Sequence, residues 1–126
     1  LEARELLYRL FVARVHGREH ARADLKQLAA LESAAFAAGE LVPGPDGPLV
    51  WRWPPSELAT VRHVAVTSTV ELLRADPAPR IKQCPGDRCG WFFLDATKRG
   101  NRRWCSMGEC GQESKTARRR ERRRRA

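Results

Sequence analysis

The chain has 126 residues, enough for one ordinary domain or two small ones and too few for a large two-domain enzyme. Hydrophobic residues make up 42%, which supports a core, and the longest apolar run, Ala34 to Ala38, falls far short of the ~20 residues that span a bilayer. The formal charge is +9, yet residues 1–97 carry 12 Lys and Arg against 12 Asp and Glu, whereas residues 98–126 carry 12 against 3. An excess confined to one end predicts a polyanionic partner, nucleic acid before an anionic membrane surface, since the tail has no apolar anchors. A soluble, cytoplasmic, nucleoid-associated protein is expected. No charged-then-apolar signal segment opens the chain, and a start on Leu rather than Met suggests that an upstream segment is missing.

In chain order, Leu6, Leu7, Leu10, Phe11, Val12 and Val15 recur at helical spacing and stop at Gly17, predicting a first helix. Leu25, Leu28, Leu31, Ala35 and Phe36 predict a second, with Asp24 as N-cap and Gly39 as its stop. The stretch from Leu41 to Trp53, turning at Pro43-Gly44-Pro45-Asp46-Gly47-Pro48, reads as a short β-ribbon. Its Trp51 and Trp53 are expected to pack on helices rather than to line a ligand pocket. Pro54-Pro55-Ser56 opens a third helix from Glu57 to about Leu73, with Leu58, Val61, Ala65, Leu72 and Leu73 available for the core. Asp76-Pro77-Ala78-Pro79 breaks it and marks a boundary between domains at 1–76 and 80–126.

Four cysteines, Cys84, Cys89, Cys105 and Cys110, lie as C-x4-C, fifteen residues, C-x4-C. Two close pairs joined by a hairpin-length spacer predict a tetrahedral four-thiolate zinc site, structural because four donors leave no open position. Two disulfides would use the same residues, but a cytosolic chain keeps thiols reduced; spacing alone does not separate zinc from an iron–sulfur cluster. Within the spacer, Trp91 to Asp95 is strand-like, residues 96–100 turn, and Asn101 to Cys105 is expected to return antiparallel. Ser106-Met107-Gly108-Glu109 matches a capping box, placing Cys110 in the first turns of a helix whose dipole would favour a thiolate. Knuckle, hairpin and helix together predict a treble-clef-like zinc finger. Trp91 and Trp104 are expected to serve its core rather than to stack on bases.

Residues Cys84 to Lys115, with C-x4-C-G-W-F-F-L-D-A-T, then R-R-W-C-S-M-x-x-C-G and a following lysine, resemble the CGNR zinc-finger family. The preceding helix–helix–ribbon–helix pattern is similar to the C-terminal part of the ABATE domain. The resemblance implies a bacterial transcription regulator, DNA binding by the finger, and a small-molecule or protein effector acting on the N-terminal domain. Asp95, Arg102, Arg103, Trp104 and Lys115 match the family pattern, whereas the Asn-Arg that gives the family its name is Gln112-Glu113 here. That reversal of charge puts any phosphate contact at position 113 in doubt.

Seven of the last nine residues are arginine. If the helix opened at Ser106 continues, these side chains surround it, and their planar forks suit phosphates. The expected DNA-binding residues are Lys98, Arg99, Arg102, Arg103, Lys115, Arg118, Arg119, Arg120, Arg122, Arg123, Arg124 and Arg125. His16 and His20 are expected to be exposed loop residues rather than metal ligands. No Ser/His/Asp set and no phosphate-cradling glycine loop is present, so no enzyme is expected.

The fold expected is mainly α with small β elements: a helical N-terminal domain with a ribbon, then the zinc finger and its basic helix. Double-stranded DNA is the expected partner, one structural Zn2+ the cofactor, and a dimer plausible. The competing readings are an RNA-binding accessory protein, a protein-interaction module with architectural zinc, and an iron–sulfur redox sensor. Target sequence, effector and the sense of regulation are not written in the residues.

Overall fold

A computed structural model describes residues 2–55, 58–76 and 78–125. The chain divides into two compact units, Leu1–Ala78 and Pro79–Ala126. The fold is mainly helical with two small antiparallel hairpins. No helix among the described residues is long and apolar enough to cross a membrane.

The first unit contains α1 (Glu2–Val15), α2 (Arg22–Ala37), a ribbon of β1 (Glu40–Pro43) and β2 (Leu49–Arg52), and α3 (Leu58–Arg74). Leu6 and Leu10 of α1, Leu28 of α2, and Val66 and Val70 of α3 form its buried core, with Leu7, Leu31 and Leu73 at the edge. Gly17 ends α1 in the left-handed region at φ 62°, as its position after the apolar pattern predicts. Asp24 does not cap α2. The helix begins one turn earlier, after Ala21, and the Asp24 carboxylate is taken instead by Arg9 of α1 at 2.7 Å. A tertiary partner outcompeted the local one.

In α3 the core face differs from the expected one. Leu58 and Val61 stand 94% and 71% exposed, while His63, Val66, Thr67, Thr69 and Val70 point inward. Thr67 and Thr69 satisfy their buried hydroxyls by donating to the carbonyls of His63 and Ala65, so polar residues enter the core at little cost. The expected start at Glu57 lies outside the described residues.

The ribbon pairs Leu41 with Trp51 and Val42 with Val50 across its turn. Its tryptophans pack on helices as expected. Phe36 and Trp51 lie 4.7 Å apart, Trp51 and Trp53 6.4 Å, and Trp53 and His63 6.1 Å, an aromatic stack running from α2 to α3. The Trp53 indole donates to the Ala35 carbonyl at 2.7 Å, satisfying a last-turn carbonyl of α2. A Cβ on Gly39 would come within 2.8 Å of that indole nitrogen, so glycine is required there for close approach rather than for a positive φ.

The second unit is built differently. β3 (Ile81–Gln83) pairs with β4 (Phe92–Leu94), in the register Ile81 with Leu94 and Gln83 with Phe92. Residues 101–104, expected to return as the partner strand, form no strand. Ile81-Lys82-Gln83 occupies that edge instead, so the first cysteine pair sits in the hairpin's own loop. A single π-type turn, Met107–Gly111, then leads into α4 (Gln112–Arg125).

Candidate metal centre and basic helix

Each cysteine is placed by a local device. Cys84 leaves β3 with its N–H donating to the Trp91 carbonyl at 2.8 Å, and Cys89 turns back through N–H donation to Gly86 at 3.0 Å. Gly86 sits where a Cβ would come within 3.1 Å of both the Cys110 sulfur and the Cys89 Cβ, so the knuckle packs directly on the last ligand. Cys105 follows Trp104, and Ser106 starts the helical segment by accepting the Glu109 N–H at 3.3 Å, the forward half of the expected capping box. The Gly111 N–H donates to the Ser106 carbonyl at 3.0 Å, a five-residue step.

The four sulfurs all lie within 4.8 Å of one another and form the one group capable of holding a metal among the described residues. Cys89 and Cys105 sulfurs are 3.5 Å apart and Cys105 and Cys110 sulfurs 3.7 Å. Four thiolates at ~2.3 Å from one tetrahedral ion stand about 3.8 Å apart, so these spacings fit a single structural zinc. Burial resists ionisation of Cys84, but N–H groups of Cys105 and Gly86 and the neighbouring thiols outweigh it and lower its pKa to about 7. Cys110 is raised, first by the Cys89 sulfur, then by Cys105 and by burial; Cys105 is raised by Cys89, burial and Cys84. Sulfurs this crowded resist a second negative charge unless a cation sits among them, which is the electrostatic demand that a divalent ion meets.

Around the centre lies a polar clamp whose Asp95 and Arg102 match the family pattern but whose Lys82 the sequence pattern did not single out. Asp95, 3% exposed, accepts from Lys82 at 2.6 Å, from the Thr97 hydroxyl at 2.6 Å and N–H at 3.1 Å, and from the Arg102 N–H at 3.0 Å. Lys82 also donates to the carbonyls of Gly100 and Arg102. Lys82 first, then Thr97, hold the Asp95 carboxyl far below the usual carboxylate range, against the opposing effect of burial. The one available signal was a lysine in a short strand before the first cysteine, which resembles surface charge.

The basic residues separate into two kinds. Arg102, though exposed, is tied to its own finger: its guanidinium donates to the carbonyls of Trp104, at 3.0 Å, and Cys105, and lies 4.8 Å over the Phe93 ring. Arg103 covers Trp104 at 5.3 Å. Lys98 and Arg99 lie exposed in the turn after Asp95, and Lys115, Arg118, Arg119, Arg120, Arg122, Arg123, Arg124 and Arg125 are exposed along α4, which buries no residue. Glu121 pairs with Arg125 on this surface. Trp104 is half-buried, as a core ring would be, whereas Trp91 is 72% exposed. A two-stranded ribbon covers one face, and Trp91 falls outside it. His16 is exposed, and neither it nor His20 joins a metal-binding group.

Two family models match the chain. One for the ABATE domain, described as "Putative stress-induced transcription regulator", matches residues 1–76, and one for the CGNR zinc finger matches residues 80–123. The chain belongs to the ABATE family. Its CGNR finger contains the whole metal centre, the Asp95 clamp and most of α4. A comparison with curated proteins finds no match. Within the CGNR finger, Glu113 stands in the first turn of α4, where the name-giving motif has arginine.

Proposed function

We propose that this ABATE-family chain is a bacterial transcription regulator that binds double-stranded DNA through its CGNR finger, without enzymatic activity. The observation that carries the reading is a 14-residue helix that buries no residue, exposes every one of its cations and continues directly from the metal-binding turn. At ~1.5 Å per residue it extends ~21 Å, most of a turn of duplex. Lys98, Arg99 and the α4 cations supply phosphate contacts, and Arg103 adds charge beside them. Arg102 acts by positioning, since its guanidinium holds the backbone at Cys105. Base readout then falls to Lys115 and Arg118, near the anchored end, or to Arg103.

The test is a salt titration of binding to random duplex DNA, before and after truncation following Ala117. Five or six neutralised phosphates give a slope of log K against log salt of roughly −5. Truncation should flatten the slope by most of that amount while zinc content stays unchanged. An unaltered slope and affinity would remove the tail from the interface.

A further inference from the structure

Between the zinc knuckle and α4 the finger carries a groove of about 900 Å³. Trp91 and Trp104 line it, together with the carboxylate residues Asp87, Glu109 and Glu113 and the guanidinium residues Arg88 and Arg120. Cys89 and Cys110 also border it, and four thiolates around one divalent ion add a net charge of −2 to the acidic side of this balance. Phosphates are repelled from such a groove and a guanidinium is drawn into it.

Trp91 gives the groove an aromatic wall. Its backbone is fixed, because its carbonyl accepts the Cys84 N–H at 2.8 Å and it follows Gly90 at φ 66°. Its side chain is nevertheless 72% exposed. The same finger already pairs guanidinium with aromatic rings twice, Arg102 over Phe93 at 4.8 Å and Arg103 over Trp104 at 5.3 Å. An exposed indole on a hydrogen-bonded backbone, in a groove lined by carboxylates, offers a face for another.

The chain itself supplies a segment of the matching chemistry. Arg118 to Arg125 contains seven arginines and one glutamate. It cannot enter the groove of its own molecule beyond Arg120, because α4 is continuous from Gln112 to Arg125. Along that axis Arg122 to Arg125 lie ~14–18 Å past Glu113, pointing away from it. We propose that the groove docks the Arg118-to-Arg125 segment of a second copy of the chain, Trp91 stacking on a guanidinium while Glu109 and Glu113 take its charge. The groove shares Arg120 with the surface proposed for DNA, and its guest is the same arginine segment, so self-docking and polyanion binding exclude one another. Such a contact joins unlike patches of identical chains.

The test uses sedimentation velocity of the zinc-loaded full chain over a concentration series at about 0.1 M salt, where charges beyond about 10 Å are screened and contacts persist. The average mass should rise above the monomer with concentration. Trp91→Ala with Glu113→Gln, and separately truncation after Arg120, which keeps every lining residue of the groove, should each weaken association about tenfold or more with zinc content unchanged. Mixing these two variants should restore a complex, one giving the groove and the other the tail. Added duplex should dissolve the self-associated form if the DNA reading also holds, and leaves it intact if only that reading fails. A monomer at every concentration, association that survives truncation, or no complex on mixing overturns the proposal. A monomer that binds oligolysine as well as an Arg118-to-Arg125 peptide would assign the groove to a foreign basic partner, which also overturns it.

Discussion

The two units reach a defined structure by opposite means. Residues of α1, α2 and α3 bury Leu6, Leu10, Leu28, Ala35, Val66 and Val70 against one another. In the CGNR finger the buried positions among the described residues are Cys84, Asp95 and Gly111, a ligand, a carboxylate and a glycine. One unit is held by apolar area and the other by a metal site and a polar clamp. Fewer than about 40 residues rarely bury enough apolar surface to fold without such help.

The sharpest way to break the comparison is to remove the metal. Chelation, or Cys84→Ser, should unfold residues 81–115 and leave the helices of the first unit folded, because structural zinc supplies about 10–16 kcal/mol of apparent binding free energy. Circular dichroism with residue-resolved hydrogen exchange checks this; loss of both units together would deny their independence. The converse experiment is Leu10→Ala, which empties a site only 1% exposed and should cost about 2–5 kcal/mol in the first unit. Zinc content should not change.

How far these roles could be foreseen depended on whether the deciding partner was local. The cysteine spacing, the stop at Gly17, the Pro/Gly turn of the ribbon and the Ser106 cap are local signals, and each was legible. The face of α3 was not, because Leu58 and Val61 on one side and Val66 and Val70 on the other are equally apolar; only the packing of α1 and α2 selects between them. The β3 strand has three residues, too short for alternation to register, while Asn101 to Cys105 was expected as the partner because it follows the turn after Asp95. Asp95 and Lys82 are thirteen residues apart, and nothing in either neighbourhood announces the pairing.

That clamp provides the next prediction. Asp95→Asn should lower the finger's unfolding midpoint at neutral pH by less than metal removal does, and leave the first unit untouched. Since the folded-state pKa of Asp95 is depressed, its stabilising effect is complete above the unfolded carboxyl value of about 4 and is lost as pH falls below it. The difference between wild type and variant should therefore stay level from about pH 8 to pH 5 and shrink in acid. A difference that instead grows in acid would contradict the assignment. The smallest effect expected is that of Ser106→Ala, which removes one accepted N–H at the helix start and should cost about 1 kcal/mol, measured as a modest shift of the finger's denaturation midpoint.

The five-residue hydrogen-bonded step between Ser106 and Gly111 has a bearing on everything C-terminal to it. A helix behaves as a rotary coupling, so the compass heading of each arginine on α4 is set by where the turn before it closes. Deleting one residue between that step and Arg118, in the α-helical first turns of α4, would swing the arginines beyond it by about 100° and draw them back by about 1.5 Å. The amino-acid composition of the tail, its charge and its helicity would all be the same. What would change is the phase between the arginines and the knuckle, which makes the direction of the tail a property of the metal-binding turn and its charge a property of the sequence beyond it.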